Sequence, residues 1–269
     1  MNTVVIAGVG LIGGSFALAI RQAGFAGRIV GVSSSGTIQK AIARGVVDEG
    51  LPMEQAAAQA DLLYISTTIQ RILDLLGEVD AHVRPGTIIT DAGSTKREIC
   101  ARAADKVRRG TFIGGHPMAG KESRGVEEAE AGLFSGRPYV LTGRAPELEK
   151  WLELIGARLV FLDPQEHDRL IALVSHLPQM LATALASVIG EDPKAASVAG
   201  PGAKDMTRLA FSAYDIWADI LATNGPAIDA ALGSFITRLE ALRAQLRSPA
   251  MEKVFERAAA SAAELRKSS

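Results

Sequence analysis

Four stretches of the chain carry residues arranged for chemistry. Gly8-Val9-Gly10-Leu11-Ile12-Gly13 is a GxGxxG pattern. Asp91-Ala92-Gly93-Ser94-Thr95-Lys96 and Gly114-Gly115-His116-Pro117-Met118-Ala119-Gly120 read as glycine-bearing turns, the first around a serine and the second around a histidine. Asp205-Met206-Thr207-Arg208 follows the turn Gly200-Pro201-Gly202. An imidazole has an unperturbed pKa of about 6.5, so His116 can act as a base at neutral pH; the competing reading is a satisfied structural histidine. Ser94 can donate a hydrogen bond to that imidazole or to a ligand, and it also suits the N-cap of the helix that follows. Arg208 offers a planar fork to a carboxylate, or pairs with Asp205 three positions earlier on a helix surface.

The glycine pattern falls between an expected strand and an expected helix. There the first glycine makes the turn, the second lets backbone approach a pyrophosphate, and the third lets helix pack on strand. The helix N-terminus adds unpaired N–H groups and partial positive charge. The reading is a dinucleotide site with Gly8, Gly10, Leu11, Ile12 and Gly13 as contacts; the alternative is a turn needed only for packing. An acidic residue at the end of the second strand would bind a ribose 2′-hydroxyl and repel a 2′-phosphate. Val32-Ser33-Ser34-Ser35-Gly36-Thr37 has none, which favours NADP and leaves NAD open. Ser33, Ser34 and Ser35 are the expected contacts, with Lys40 or Arg44 close by. Thr67 and Asp91, at the ends of two further strands, complete the cofactor set. The four histidines show no metal-ligand spacing, and a single cysteine, Cys100, excludes an internal disulfide and a cysteine zinc cluster. No metal is expected.

These residues need a scaffold that brings loops together. Strands are expected at 3–7, 28–32, 61–67, 87–90, 111–114, 138–142 and 158–162, and helices at 15–23, 38–44, 69–79 and 96–108. Strands separated by helices, nearly all apolar, indicate a parallel sheet covered on both faces. After Asp163-Pro164 the pattern changes to helices at 167–189, 201–224, 227–246 and 250–267, separated at Asp192-Pro193, Gly225-Pro226 and Ser248-Pro249. The expected division is an α/β domain over 1–164 and an all-helical domain over 165–269.

Composition narrows the class. Of 269 residues 48% are hydrophobic and 22% charged, with a formal net charge of -1, so no basic field for nucleic acid is present. The apolar stretch from Val4 to Ile20 lacks a basic flank and is broken by four glycines, so it reads as strand, turn and helix rather than a signal peptide. No other run of 18 or more apolar residues without charge is expected to span a membrane. The location expected is cytoplasmic.

In this order, GVGLIGGS, DAGSTK, GGHPMAGKES, SHLP (Ser175 to Pro178) and DMTRLA followed by Trp217 resemble the prephenate/arogenate dehydrogenase family of tyrosine biosynthesis. The likeness runs over nearly the whole chain. It implies a Rossmann domain followed by a helical domain that forms an intertwined homodimer. It implies NAD(P)-linked oxidative decarboxylation of a cyclohexadienyl substrate, from prephenate to 4-hydroxyphenylpyruvate or from arogenate to tyrosine. By matching motifs His116 takes the role of the histidine that hydrogen-bonds the ring hydroxyl, and Ser94 that of the serine assisting it. Arg208 matches the arginine that binds a substrate carboxylate, and Asp205, Glu122 and Trp217 fall where the site is shaped or gated. Lys121 and Arg124 read as solvated loop charge.

One departure concerns the substrate. Many family members carry a second histidine after SHLP, where this chain has Gln179, which can hydrogen-bond but cannot become cationic. That leaves room for arogenate beside prephenate. His176 reads as structural. No appended regulatory domain is expected in the remaining length. The runner-up is a two-domain dehydrogenase or imine reductase of the β-hydroxyacid type, but Ser175 to Ala186 lacks the lysine that type places there. A dinucleotide sensor without chemistry would have no use for Ser94, His116 and Arg208 together.

Overall fold

The computed structural model describes residues 1–121 and 123–267. The chain divides into two compact units: Met1–Leu170 with Ser212–Thr223, and Ile171–Phe211 with Asn224–Ser269. A cut at 164 thus falls before the junction, and a short later segment returns to the first unit.

The first unit opens with β1 (Thr3–Ala7), α1 (Leu11–Gln22), β2 (Arg28–Val32), α2 (Ser35–Ala43), β3 (Glu49–Gly50), α3 (Met53–Ala57), β4 (Leu62–Ile65) and α4 (Ile69–Glu78). It continues with β5 (Ile88–Asp91), α5 (Arg97–Lys106), β6 (Thr111–Ile113), β7 (Gly115–Pro117), β8 (Pro138–Leu141), α6 (Pro146–Leu154), β9 (Arg158–Phe161) and α7 (Pro164–Ile171), whose last residue begins the second unit. Six strands form a parallel sheet in the order β3-β2-β1-β4-β5-β6. Val4 pairs with Ile29 on one side and Leu62 on the other. The connections reverse direction between β1 and β4, and a crevice at such a reversal, at the carboxyl ends of the strands, is where ligands bind in this architecture.

β1 and β4 are buried almost throughout, because α-helices cover both faces of the sheet. Val4, Ile6, Phe16, Ile20, Ile29, Leu62 and Tyr64 are fully buried in the core, each large aliphatic side chain contributing about 1.5–3 kcal/mol by leaving water. The Phe16 and Tyr64 rings stack with centroids 4.1 Å apart. The Tyr139 hydroxyl donates to that of Tyr64 at 3.1 Å, and burial pushes both phenols well above their ordinary pKa.

Two features of this unit differ from the expectation. The strands at 138–141 and 158–161 do not extend the large sheet. They form a separate sheet in the order β7-β8-β9, in which β7 is antiparallel to β8. Gly115–Pro117 is therefore a strand, not a turn, and His116 pairs with Val140. Its glycine- and proline-rich composition hid a strand of three residues. The short β3, α3 and α6 were also not anticipated.

The second unit is helical. A π-helical stretch (Ala172–His176) leads into α8 (Leu177–Gly190), followed by α9 (Pro201–Thr207) and a 3₁₀ turn (Arg208–Phe211). The helix α10 (Tyr214–Ala244) begins in the first unit and continues in the second, and α11 (Met251–Lys267) follows. The single helix expected over 201–224 is thus broken at 208–213. The break expected at Gly225-Pro226 is instead a kink: Asn224 leaves helical geometry (φ -126°, ψ 15°) and the helix resumes, because proline removes one backbone donor and crowds the preceding turn. The helical run Pro164–Gly190 is long and apolar enough to cross a membrane by length and composition alone.

Candidate active site

The first unit holds a cavity of about 450 Å3 at the carboxyl ends of β1, β4 and β5. Gly10, Leu11 and Ile12 line it from the glycine loop, Thr67 from the end of β4, and Gly93 and Ser94 from the end of β5.

The three glycines do different work. Gly8 has φ +95°, and a Cβ there would lie 2.5 Å from the Ser66 carbonyl oxygen. Gly13 has no room for a Cβ, which would strike the Gly8 carbonyl, the Ser66 hydroxyl and Ile6. Gly10 is the opposite case, since a Cβ would meet no atom within 4 Å. Gly10 is the N-cap of α1, with no side-chain cap and no acidic residue in the first turn. First-turn N–H groups lack intrahelical partners, so uncapped donors and open space coincide where a pyrophosphate would sit. The loop fits a dinucleotide.

The adenosine end is less decided. Ser34 caps α2, accepting from the Thr37 amide at 3.4 Å and sharing a hydrogen bond with the Thr37 hydroxyl at 2.9 Å. Ser33 and Ser35 are exposed beside it. The two cations expected nearby are engaged: Lys40 pairs with Glu127, and Arg44 donates to the Ala129 carbonyl at 3.0 Å.

Beneath the cavity wall lies a polar cluster. Asp91 and Lys96 are fully buried and form an ion pair. Asp91 also accepts from the Gly93 amide at 2.8 Å and the Gly115 amide at 3.1 Å. Lys96 donates to the Gly115 carbonyl at 2.8 Å. One carboxylate therefore ties Gly93, which lines the cavity, to the residue preceding His116. Asp91 was expected to touch the cofactor; instead its carboxylate is committed inside the protein, because an unpaired buried ammonium beside it would be costly.

His116 is 7% exposed. Its Nδ1 lies 2.8 Å from Nε2 of His167, whose Nδ1 lies 2.7 Å from Asp168. Asp168 also accepts the amides of Lys96 and Arg97, at 2.7 and 3.0 Å, at the start of α5. Burial raises the Asp168 carboxyl, but the hydrogen bonds from His167, Arg97 and Lys96 outweigh it and hold the group below its ordinary pKa. Asp168 thus does the capping expected of Ser94. His167 and Asp168 were not among the sequence candidates. The available signal was Asp163-Pro164, which starts α7: Asp163 accepts the amides of Gln165 and Glu166, both at 3.0 Å.

The far wall of the cavity comes from Ala119–Lys121, Ser123–Gly125 and the first turns of α10. Arg124 donates from both terminal nitrogens to Asp215, at 2.7 and 3.0 Å, and Lys121 pairs with Glu130 at 2.8 Å. These two cations are exposed loop charges, as expected, and each also has an ion-pair partner in or beside the wall. Asp219, also in the wall, accepts the amide of Gln70 at 3.0 Å. Trp217 is half-buried on α10. Glu122 lies outside the described residues.

Gln179, Asp205 and Arg208 belong to the second unit. Gln179 is buried on α8 and donates to the Thr183 hydroxyl at 3.3 Å. Asp205 and Arg208 are exposed on α9 and the turn after it, and that turn packs on α8. His176 is buried in the same unit, with the side-chain amide of Asn224 3.2 Å from its Nδ1.

Similarity to known proteins agrees with this architecture. The family model for the prephenate dehydrogenase nucleotide-binding domain matches residues 16–161, and that for the prephenate dehydrogenase dimerization domain matches 163–259. Prephenate dehydrogenase of Lactococcus lactis subsp. cremoris is 36% identical over 83% of this chain, which spans 65% of that relative's length. Among solved structures, prephenate dehydrogenase from A. aeolicus, in complex with hydroxyphenyl propionate and NAD+, superposes with TM-score 0.89 at 28% identity, covering 99% of this chain and 98% of that one. Synechocystis arogenate dehydrogenase gives TM-score 0.86 at 29% identity, covering 98% and 99%. With both domain models matched in order, against the β-hydroxyacid alternative, the chain belongs to the prephenate dehydrogenase family.

Proposed function

We propose that this protein carries out oxidative decarboxylation of prephenate or arogenate, using a nicotinamide dinucleotide, in tyrosine biosynthesis. The observation that carries the reading is the Asp91 carboxylate, which ties the cavity wall at Gly93 to the strand bearing His116. A histidine base is thereby fixed in the same compact unit as a glycine loop built for a pyrophosphate. When bound, the nicotinamide accepts a hydride. The hydride leaves the substrate carbon that carries the hydroxyl, so positive charge develops there. His116 takes the hydroxyl proton as that charge grows. The electron pair of the breaking bond to the carboxylate enters the ring as CO2 leaves, the ring becomes aromatic, and His116 returns its proton to the ring oxygen. Ser94, at the cavity wall, hydrogen-bonds the same hydroxyl. Arg208 holds a substrate carboxylate, and Gln179, Asp205, Glu122 and Trp217 shape the substrate site.

Cofactor and substrate choice follow from charge. No acidic side chain stands at Ser33–Ser35 to repel a 2′-phosphate, and Lys40 and Arg44 are engaged elsewhere, so both NAD and NADP are accepted, with NADP somewhat preferred. Gln179 stays neutral at every pH, so arogenate is used beside prephenate. The protein is a homodimer. A second copy covers apolar side chains of the helical unit such as Val188, Val198 and Phe211, which are 64%, 83% and 92% exposed. The test is absorbance at 340 nm with each substrate paired with each cofactor. Reduction with arogenate is expected, and with NADP at least as fast as with NAD. Silence in all four pairings, from folded protein, would sink the proposal.

A further inference from the structure

The buried pair His167–Asp168 has no part in the reaction as drawn above, yet it ends on the ring that matters. Asp168 accepts two backbone amides and faces Nδ1 of His167 at 2.7 Å. A carboxylate has no proton to give, so the hydrogen on that contact belongs to His167 Nδ1. A neutral imidazole with its proton on Nδ1 carries its lone pair on Nε2. That nitrogen faces His116 Nδ1 at 2.8 Å, so the hydrogen on this second contact belongs to His116. The same rule applied once more leaves the lone pair of His116 on Nε2. With His167 neutral, each step follows from the one before it, and the direction is set at a single point, the carboxylate of Asp168.

We infer that Asp168 and His167 are positioning residues that fix His116 in the tautomer with a basic Nε2 and orient its ring toward the substrate hydroxyl. Three buried groups on two elements make up the chain: His116 on β7, and His167 and Asp168 on α7. Because Asp168 is also held by the amides of Lys96 and Arg97, at the start of α5, the anchor does not shift when the ring above it changes charge. When His116 takes the hydroxyl proton, its Nδ1–H donates more strongly to His167, and the Asp168 carboxylate supports the added positive charge at one remove. The assignment rests on the proposed role of His116 as the base, but a ring tautomer is measured without turnover, so failure of the one is distinguishable from failure of the other.

The test joins a spectroscopic reading to kinetics on the full-length protein. Long-range 1H–15N spectra of histidine-labelled protein, with and without NAD, report which ring nitrogen of each histidine carries the proton. The expected result for His116 is a protonated Nδ1 and a pyridine-type Nε2. His167→Leu removes the acceptor, and kcat should fall on the order of 10²-fold with the KM for NAD unchanged. His167→Gln can place a carbonyl oxygen where Nε2 stood, so it should recover a large part of that loss. A protonated Nε2 on His116 in the unsubstituted protein would overturn the inference. So would a His167→Leu enzyme with near-normal kcat, or one whose lost kcat His167→Gln does not restore.

Discussion

The glycine loop and the cluster around His116 serve one cavity by opposite means. Gly8, Gly10 and Gly13 work by what they lack: backbone crosses backbone at Gly8 and Gly13, and Gly10 leaves space. Asp91, Lys96, His116, His167 and Asp168 work by side chains that are buried, charged or hydrogen-bonded to one another. A ligand's phosphates need donors and room, which backbone supplies at no cost in side-chain order. A base needs a defined proton, which only a network of side chains supplies. The two regions should therefore fail differently when altered.

The largest effect on folding should come from the cluster. Lys96→Met leaves the Asp91 carboxylate buried without its cation, and such a loss typically costs about 3–5 kcal/mol. Chemical denaturation of the variant checks this; a midpoint unchanged from the parent would mean that the pair contributes nothing to the fold.

Within the loop the expected contrast is sharper than its size. Gly13→Ala puts a Cβ against backbone and should destabilise by about 1–3 kcal/mol. Gly10→Ala meets no protein atom, so its Tm should hold while cofactor affinity falls. Thermal melts and cofactor titration of the two variants separate packing from binding. Equal loss of stability in both would erase the distinction between the two glycines.

The smallest effect is a pH dependence. Burial raises the Asp168 carboxyl, and hydrogen bonds from His167, Arg97 and Lys96 more than offset it, so its folded value lies below the unfolded one of about 3.9. A depressed carboxyl stabilises the fold above its unfolded pKa, and that stabilisation is lost as pH falls through the folded pKa. Asp168→Asn should therefore be less stable than the parent at neutral pH, with the gap closing in acid. A gap independent of pH would contradict this assignment.

The same contrast explains what could be read before the fold was known. The GxGxxG loop is local, and β1, β2 and their neighbours are continuous apolar runs, so spacing alone located the loop and the parallel sheet. His116 stood out by residue type, but its setting did not. Gly115–Pro117 is a strand of glycine, histidine and proline, and its partner β8 lies more than twenty residues away. His167 is 51 positions from His116 and Asp168 is 72 from Lys96, so nothing in local spacing joined them. The role expected of Ser94 as a cap failed for the same reason, since a distant carboxylate filled it. Arg124 and Lys121 are exposed as expected of solvated charge, but their partners Asp215 and Glu130 were not legible, since neither stands at helical spacing.

The central claim is that His116 is the base. The most direct measurement is turnover of His116→Asn with prephenate and with arogenate, alongside the cofactor dissociation constant of the same preparation. The account predicts turnover lower by roughly 10³-fold, with cofactor affinity essentially unchanged. A near-normal rate would remove His116 from the mechanism, and a parallel collapse of cofactor binding would mean that it acts on the loop and not on the substrate.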